Sequence, residues 1–214
     1  MPRTPLPVGQ TRREVIVEAA YAAFAAQGYH RASLRQIAEQ VGVSAGAIFR
    51  HFANKEELLV AVLEHWRRET EAHMAPHESD YPDSLGKFRA LAGFHVQNRG
   101  VLELFIMLSA EATSPEHPAH DFIVDRYERI VGYIADGLRR GIRAGTFHIA
   151  QDDVEYQARM LVAVLDGLEL QWLLDPQMDL VAAVDSALDV LIDRWSASPT
   201  EAVQPRPVSS NPST

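Results

Sequence analysis

The twelve residues VGVSAGAIFRHF, positions 41–52, decide how the N-terminal part of this chain is expected to fold. Gly42 suits the left-handed corner that follows a helix, and Ser44 is a typical N-cap of the next helix. The stretch therefore predicts two short helices, over 33–40 and 44–51, that are joined by a tight turn.

The second of these helices has two different faces. Ile48 and Phe52, spaced i, i+4, are expected to face the core together with Ala45. The opposite face presents Gly46, Phe49, Arg50 and, at its edge, His51. A small, cation-bearing face at this position is typical of a helix-turn-helix, whose second helix enters the major groove of DNA. The alternative is an ordinary pair of packed helices, which the spacing alone does not exclude.

The charge distribution favours the DNA-binding interpretation. The 214-residue chain has a formal net charge of −9 and a pI near 5.4. Residues 1–55 nevertheless carry seven cations and three anions, whereas the remainder carries 13 cations and 26 anions. A basic end on an acidic body indicates an anionic partner at that end only, although chance clustering would give the same count.

The whole chain predicts an all-α fold of about nine helices. No alternating strand pattern is present, and five of the 12 prolines fall between apolar-periodic segments, where helices must stop. The predicted helices cover 11–27, 33–40, 44–51, 54–74, 83–98, 100–113, 120–144, 151–174 and 178–196. The expected domains are a disordered arm over 1–10, a DNA-binding domain over 11–55, a larger helical body over 56–196 and a disordered tail over 197–214.

The segment ASLRQIAEQVGVSAGAIFRHFANKEELL, residues 32–59, resembles the DNA-binding signature of the TetR/AcrR family of bacterial regulators. That resemblance implies a three-helix DNA-binding head and a body, residues 56–196, that binds a small effector and forms a homodimer. The DNA contacts that it implies are Ser33, Arg35, Ser44, Ala45, Gly46, Phe49, Arg50, His51 and Lys55.

The implied DNA contacts differ in what they can recognise. Arg35 and Arg50 are the candidate guanine readers, and Lys55 is a candidate phosphate contact. Phe49 stands where the family more commonly has tyrosine, so it can pack on a sugar or a thymine methyl but cannot hydrogen-bond a phosphate. Ala47 likewise offers no polar contact to a base.

The last two predicted helices are expected to form the dimer interface. Residues 160–174 are apolar nearly all round, and a helix that is apolar on every side must be covered on every side. In the family that the chain resembles, the two final helices of each subunit form a four-helix bundle. The residues expected at the interface are Leu161, Leu165, Gly167, Leu168, Val184, Leu188, Leu191 and Trp195. A plain monomeric core is the alternative.

Aromatic and methionine residues of the body are candidates for an effector pocket. A few polar residues interrupt them and could orient a ligand, although such a stripe is more often plain core. The candidates are Phe88, Phe94, His95, Phe105, Met107, Tyr127, Tyr133, Met160, Asp166, Glu169 and Trp172. No particular ligand follows from the sequence.

Several other classes of function find no support in the sequence. No cysteine is present, which excludes disulfides, thiolate nucleophiles and cysteine-ligated zinc. His117 and His120 flank a proline in a loop context, so we expect no metal site. No nucleotide-binding or hydrolase motif predicts a cofactor or an enzyme. Because neither a signal peptide nor a spanning apolar run is visible, a cytoplasmic protein is expected.

The sequence thus predicts a transcriptional regulator, namely a homodimeric repressor that binds a palindromic operator on double-stranded DNA and is released by a small-molecule effector. One alternative is a constitutive or architectural DNA-binding protein without an effector. The other is an enzyme or carrier that uses a cavity of the body, which would not need the basic N-terminal end.

Overall fold

The computed structural model describes residues 11–74 and 85–197, and within these ranges every regular element is a helix. This confirms the predicted all-α fold. The helices are α1 (Arg12–Gln27), α2 (Leu34–Gln40), α3 (Ala45–Ile48), α4 (Lys55–Met74), α5 (Lys87–Gln97), α6 (Arg99–Glu111), α7 (His120–Arg143), α8 (Val154–Leu174) and α9 (Leu180–Ser196), with a 3-10 turn at Gln151–Asp153. The predicted arm over 1–10 and, apart from residue 197, the predicted tail lie outside the described residues.

The first two helices begin at side-chain caps. Thr11 Oγ1 accepts a hydrogen bond from the Glu14 backbone N–H, and the Glu14 carboxylate accepts one from the Thr11 backbone, so a capping box closes the start of α1. Ser33 and Gln36 form the same arrangement at the start of α2. Between α2 and α3, Gly42 adopts φ 69°, which glycine tolerates without strain. The predicted turn of the helix-turn-helix is therefore confirmed.

The second helix of this motif is shorter than predicted. Helix α3 comprises only Ala45–Ile48, and the chain continues as a turn in which the His51 N–H donates to the Ile48 carbonyl at 2.8 Å. A glycine, a β-branched residue and two aromatics lie close together here, and their low helix propensity favours tight turns over further α-helix. Ser44 occupies the N-cap but makes no side-chain capping bond, contrary to expectation.

The first of two apolar cores joins the head to the body. It encloses the buried faces of α1, α2 and α3 with the first half of α4, and it continues into α6 and the start of α7. Where α1 meets α6, a Cβ added to Gly100 would lie 2.5 Å from the carbonyl oxygen of Ala25. The pair of His30 Nε2 and Glu111 Oε2, 3.0 Å apart, is a second link. The predicted domain boundary after residue 55 stays a prediction, and this core extends across it.

The second core lies among α5, α7, α8 and α9. Six residues that the sequence assigned to a dimer interface lie in it and are at most 7% exposed: Leu161, Leu165, Val184, Leu188, Leu191 and Trp195. They face their own chain because α5 packs on α9 and α7 packs on α8. Trp195 also donates from Nε1 to Gln157 Oε1 at 3.0 Å. Within the single chain these six side chains are core residues, whereas Gly167 and Leu168 keep partial exposure, and the part that any of the eight plays in a dimer interface stays a prediction.

Candidate DNA-binding surface and effector cavity

The predicted recognition face of the helix-turn-helix is open to solvent. Phe49 is 53% exposed, and Gly46 and Arg50 are exposed beside it. Ile48 and Phe52 are buried beneath this face and anchor it to the first core. An exposed aromatic ring next to an arginine is suited to thymine methyls and guanine edges in a major groove.

The flanking positions of the motif are less accessible. Ala45 and His51 are partly buried, and Ala47, which has no polar group to offer a base, is itself buried. Ser44 is exposed, and its hydroxyl is not used as a cap. Ser33 is also exposed, but its hydroxyl already serves the capping box of α2. The DNA roles of these residues stay predictions.

Two cations among the predicted DNA contacts, Arg35 and Lys55, also have partners within the chain. Arg35 Nε donates to Glu39 Oε1 at 2.9 Å. Lys55 Nζ donates to the His30 carbonyl at 3.2 Å and lies 4.4 Å from the centre of the Tyr29 ring. Burial lowers the pKa of Lys55. A phosphate contact from either residue would be made in exchange for, or in addition to, an internal bond.

A cavity of about 200 Å³ lies between α4, α5 and α7. Its wall combines aromatic and aliphatic side chains with several charged ones. The lining residues are Trp66, Arg67, Thr70 and Glu71 of α4, Lys87, Phe88, Leu91 and His95 of α5, and Phe122, Arg126, Arg129, Ile130 and Tyr133 of α7. Since an apolar cavity of about 150 Å³ accommodates benzene, this cavity has room for a somewhat larger molecule.

The cavity brings together only some of the predicted ligand contacts. Those that line it are Phe88, His95 and Tyr133. Those that do not are Phe94, Phe105, Met107, Tyr127, Met160, Asp166, Glu169 and Trp172. Met107 is 49% exposed on α6, whereas Phe105 is buried and stacks on the lining residue Trp66, with ring centroids 4.7 Å apart. Ligand contact by any of them stays a prediction.

A partly buried polar cluster adjoins the cavity between α5, α7 and α8. His95 Nδ1 lies 2.7 Å from Glu169 Oε1, and the Tyr127 hydroxyl donates to Asp166 Oδ2 at 2.7 Å. Burial raises the pKa of Asp166, against the lowering effects of the Arg126 charge and of the Tyr127 hydrogen bond. Burial, together with the neighbouring Asp166 carboxylate, raises the pKa of Tyr127 to about 12. His95 is the member of the cluster that reaches the cavity wall.

Sequence reasoning missed the part of the cavity that α4 contributes. Trp66 and Thr70 are spaced i, i+4, as are Arg67 and Glu71, so this segment of α4 presents one side to the cavity. That spacing is visible in the sequence and could have indicated a covered face. The spacing does not say which other helices cover the face. Arg126 of α7 was missed because the sequence does not show that α7 packs there.

The described ranges contain no candidate metal site. In residues 11–74 and 85–197, no three histidine, aspartate or glutamate side chains are grouped so that they could hold an ion. His117 Nε2 lies 3.6 Å from Glu111 Oε2, and His120 Nδ1 bonds to the Ala112 carbonyl at 2.8 Å. None of the helices in these ranges has the length and apolar character needed to cross a bilayer.

Comparison with known proteins decides the family. A family model described as bacterial regulatory proteins, tetR family, matches residues 16–62. The HTH-type transcriptional regulator TtgR of Pseudomonas putida is 33% identical over 204 residues, which cover 89% of this chain and 94% of TtgR. The chain belongs to the TetR family. It is a DNA-binding transcriptional regulator, and this confirms the resemblance that residues 32–59 carry.

Solved structures share the fold of this TetR-family regulator. The transcriptional regulator FadR from Bacillus subtilis, solved in complex with stearoyl-CoA, matches with a TM-score of 0.71 at 22% identity over 85% of this chain and 98% of FadR. SmeT, the repressor of the Stenotrophomonas maltophilia multidrug efflux pump SmeDEF, matches with a TM-score of 0.67 at 24% identity over 89% of this chain and 93% of SmeT. At these identities the likeness establishes the fold alone.

Proposed function

We propose that this TetR-family regulator is a homodimeric repressor that binds a palindromic operator and is released when a small molecule occupies the cavity between α4, α5 and α7. One observation carries the proposal, which is that α4 belongs to both sites. Its first half packs Leu58, Leu59 and Val62 into the core beneath the helix-turn-helix, and its second half lines the cavity with Trp66 and Thr70. A molecule in the cavity therefore contacts the helix that supports the DNA-binding head.

A second connection between the cavity and the head runs through α6. Trp66 stacks on Phe105 of α6, and α6 abuts α1 where Gly100 meets Ala25. A displacement of the Trp66 ring would therefore act on α1 as well as on α4. Closely packed helices transmit such a displacement because the interior between them has little free volume to absorb it.

The surface that we assign to the second subunit is the outer face of α8 and α9. Nine large apolar residues are exposed in the described part of the chain, and four of them lie on these two helices: Tyr156, Leu170, Leu174 and Val190. Gly167 belongs to the same stripe of α8, and nothing lies within 4 Å of a Cβ added there, so a partner helix has room to approach. Pairing of this face with its copy gives the two-fold symmetry that a palindromic operator requires.

Release of DNA requires a change in the distance between the two recognition helices of the dimer. Recognition helices that enter successive major grooves on one side of DNA lie about 34–36 Å apart. A tilt of α4 in each subunit changes that distance, and a few ångströms suffice to lose one half-site. The effector must therefore bind the DNA-free conformation more tightly, and operator DNA must weaken effector binding by the same factor.

This reciprocity provides the test. A ligand found by thermal-shift screening is titrated into the protein with and without operator DNA taken from the region that flanks the gene. We expect weaker ligand binding in the presence of the operator and dissociation of the DNA at saturating ligand. Equal affinity in both conditions would contradict an inducer role for that ligand. Failure of every small molecule to bind would favour a constitutive DNA-binding protein.

Arg50→Ala is expected to weaken operator binding by about 1–3 kcal/mol per half-site, with the loss concentrated at one base pair, because a bidentate arginine–guanine contact discriminates by that amount. Competition binding against operators substituted at each base pair measures the effect. Lys55→Ala is the comparison, since loss of one phosphate contact weakens binding to all sequences alike and lowers the salt slope by about 0.9. A uniform loss for Arg50→Ala would contradict its role as a guanine reader.

Gly100→Ala is expected to disturb the contact between head and body. The added Cβ would lie 2.5 Å from the Ala25 carbonyl oxygen, which is a backbone atom, so α6 and α1 must move apart. We expect the free energy of unfolding to fall by about 1–3 kcal/mol and operator affinity to change with it. Urea denaturation and operator titration measure the two effects.

The matched control for Gly100→Ala is Gly93→Ala. Gly93 lies within α5, and nothing is found within 4 Å of a Cβ added there. Because alanine is the better helix former, this change should be neutral or stabilise by up to about 1 kcal/mol. Equal stability of the two variants would contradict a close contact between α1 and α6.

A further inference from the structure

The cavity wall contains several buried polar atoms that lack a hydrogen-bond partner. Five side-chain nitrogen or oxygen atoms are buried in this way within the described residues, and three of them belong to residues that line the cavity: Trp66 Nε1, His95 Nε2 and Arg126 Nη1. A buried donor without an acceptor is unfavourable, and most such groups in proteins are paired. Their concentration at one cavity indicates that a ligand group completes the hydrogen bonding.

The chemistry of these atoms selects the kind of ligand group. The indole Nε1–H of Trp66 and the guanidinium Nη1–H of Arg126 can only donate. His95 is bound through Nδ1 to Glu169 at 2.7 Å, and its other nitrogen, Nε2, donates or accepts according to the protonation of the ring. The complementary ligand group therefore has oxygen acceptors, and a carboxylate has two.

The charges that line the cavity also favour an anionic ligand, because cations outnumber carboxylates. Four cations and one carboxylate line it: Arg67, Lys87, Arg126, Arg129 and Glu71. Glu71 already pairs with Arg67 at 3.2 Å and lies 3.5 Å from Arg129 Nη1. Arg126 forms no ion pair with any described residue, and its guanidinium lies 4.0 Å from the centre of the Phe105 ring. An anion in the cavity would thus meet an arginine that has aromatic packing and whose charge acts on the Asp166 carboxylate, but that forms no close ion pair.

We propose that the effector is a small organic anion, namely a carboxylate on an apolar body of about one aromatic ring or a medium-length alkyl chain, whose oxygens bind Arg126 and Trp66. This rests on the proposed function, because it names the ligand class of the effector cavity. Phe88, Phe122 and Tyr133 of the wall cover the apolar body. The three polar atoms are shielded from solvent, so side chains of the wall must shift before a ligand oxygen reaches them. The shift of Trp66 is the movement that acts on α4 and α6.

Acids and their amides of matched shape test the ligand class. The probes are 3-phenylpropionate with 3-phenylpropionamide and octanoate with octanamide, titrated calorimetrically into the full chain. We expect each acid to bind about 10- to 100-fold more tightly than its amide, as a charge-assisted hydrogen bond implies. Amides that bind as tightly as the acids would overturn the proposal. So would a failure of both acids to bind.

Arg126 variants test the anchor. Arg126→Met should lower the affinity of each acid to that of its amide, and Arg126→Lys should retain part of the preference because it keeps the charge. Arg99→Met is the matched control, since Arg99 also has a buried Nη1 without a partner and lies 5.0 Å from the Trp172 ring, yet does not line the cavity. The Arg99→Met protein should bind the acids over the amides with the same preference as the unaltered protein. A folded Arg126→Met protein that keeps the full preference for the acids would overturn the assignment. If Arg126→Met does not fold, the acid preference of Arg126→Lys is compared with that of the unaltered protein, and an equal preference would overturn the assignment.

Operator release by the same probes separates this proposal from the proposed function. Acids that bind preferentially but leave the operator bound would support the ligand class and contradict effector-driven release. Amides that bind and release the operator as well as the acids would contradict the ligand class and support the release mechanism.

Discussion

Replacing Leu170 and Leu174 together by glutamate should give a folded monomer whose operator affinity is lower by about 100- to 10,000-fold, since that is the gain that a linked second binding site provides. Leu170 is 46% and Leu174 is 79% exposed, so the changes remove nothing from the core of the subunit. In a dimer built on the outer face of α8 and α9, the new carboxylates would be buried without partners and would oppose association. Sedimentation velocity and operator titration measure the two effects.

The control for this double variant is Val96→Glu. Val96 is 42% exposed and lies on α5, outside the outer face of α8 and α9. Its variant should remain a dimer and should bind the operator as the unaltered protein does. A Leu170→Glu/Leu174→Glu protein that stays dimeric would show that the subunits meet through another surface.

Leu188→Glu should instead unfold the subunit. Leu188 is 0% exposed in the second core, where an ionised carboxylate would have neither water nor a partner. We expect the free energy of unfolding to fall by roughly 4–5 kcal/mol or more, which is comparable with the whole stability of many domains, about 5–15 kcal/mol. Circular dichroism and urea denaturation measure the loss.

Val190→Glu is the comparison on the same helix. Val190 is 64% exposed, two residues along α9 from Leu188, and its variant should keep its helical content while dimerisation is weakened. A Leu188→Glu protein that is folded and monomeric would contradict the core position. It would return Leu188 to the interface that its spacing in the sequence indicated.

The helix-turn-helix could be predicted because its determinants are local. The caps at Thr11 and Ser33 depend on residues three positions away, and the turn at Gly42 depends on one glycine. The end of α3 was predicted less well. Its backbone hydrogen bonds around Ile48 are intermediate between those of an α-helix and those of a tight turn. Small differences in helix propensity decide between these two conformations.

The candidate cavity could be predicted only in part. Phe88, His95 and Tyr133 were found because apolar runs with isolated polar residues are visible in the chain. Trp66 and Arg126 come from helices far apart in the sequence, and nothing local brings their side chains to one wall. The closing of α5 and α7 over α4 creates that wall, and it leaves polar atoms there without partners.

The sequence by itself determined the all-helical fold, the helix-turn-helix and the family, because caps, turns and apolar stripes are set by residues a few positions apart. Only the tertiary structure decided which side of α8 and α9 faces inward. Leu188 and Leu170 are equally apolar, yet Leu188 is buried by its own chain and Leu170 is left exposed. The periodicity of apolar residues indicates that an apolar stripe must be covered. Which element covers that stripe depends on how α5 and α7 pack over the whole body.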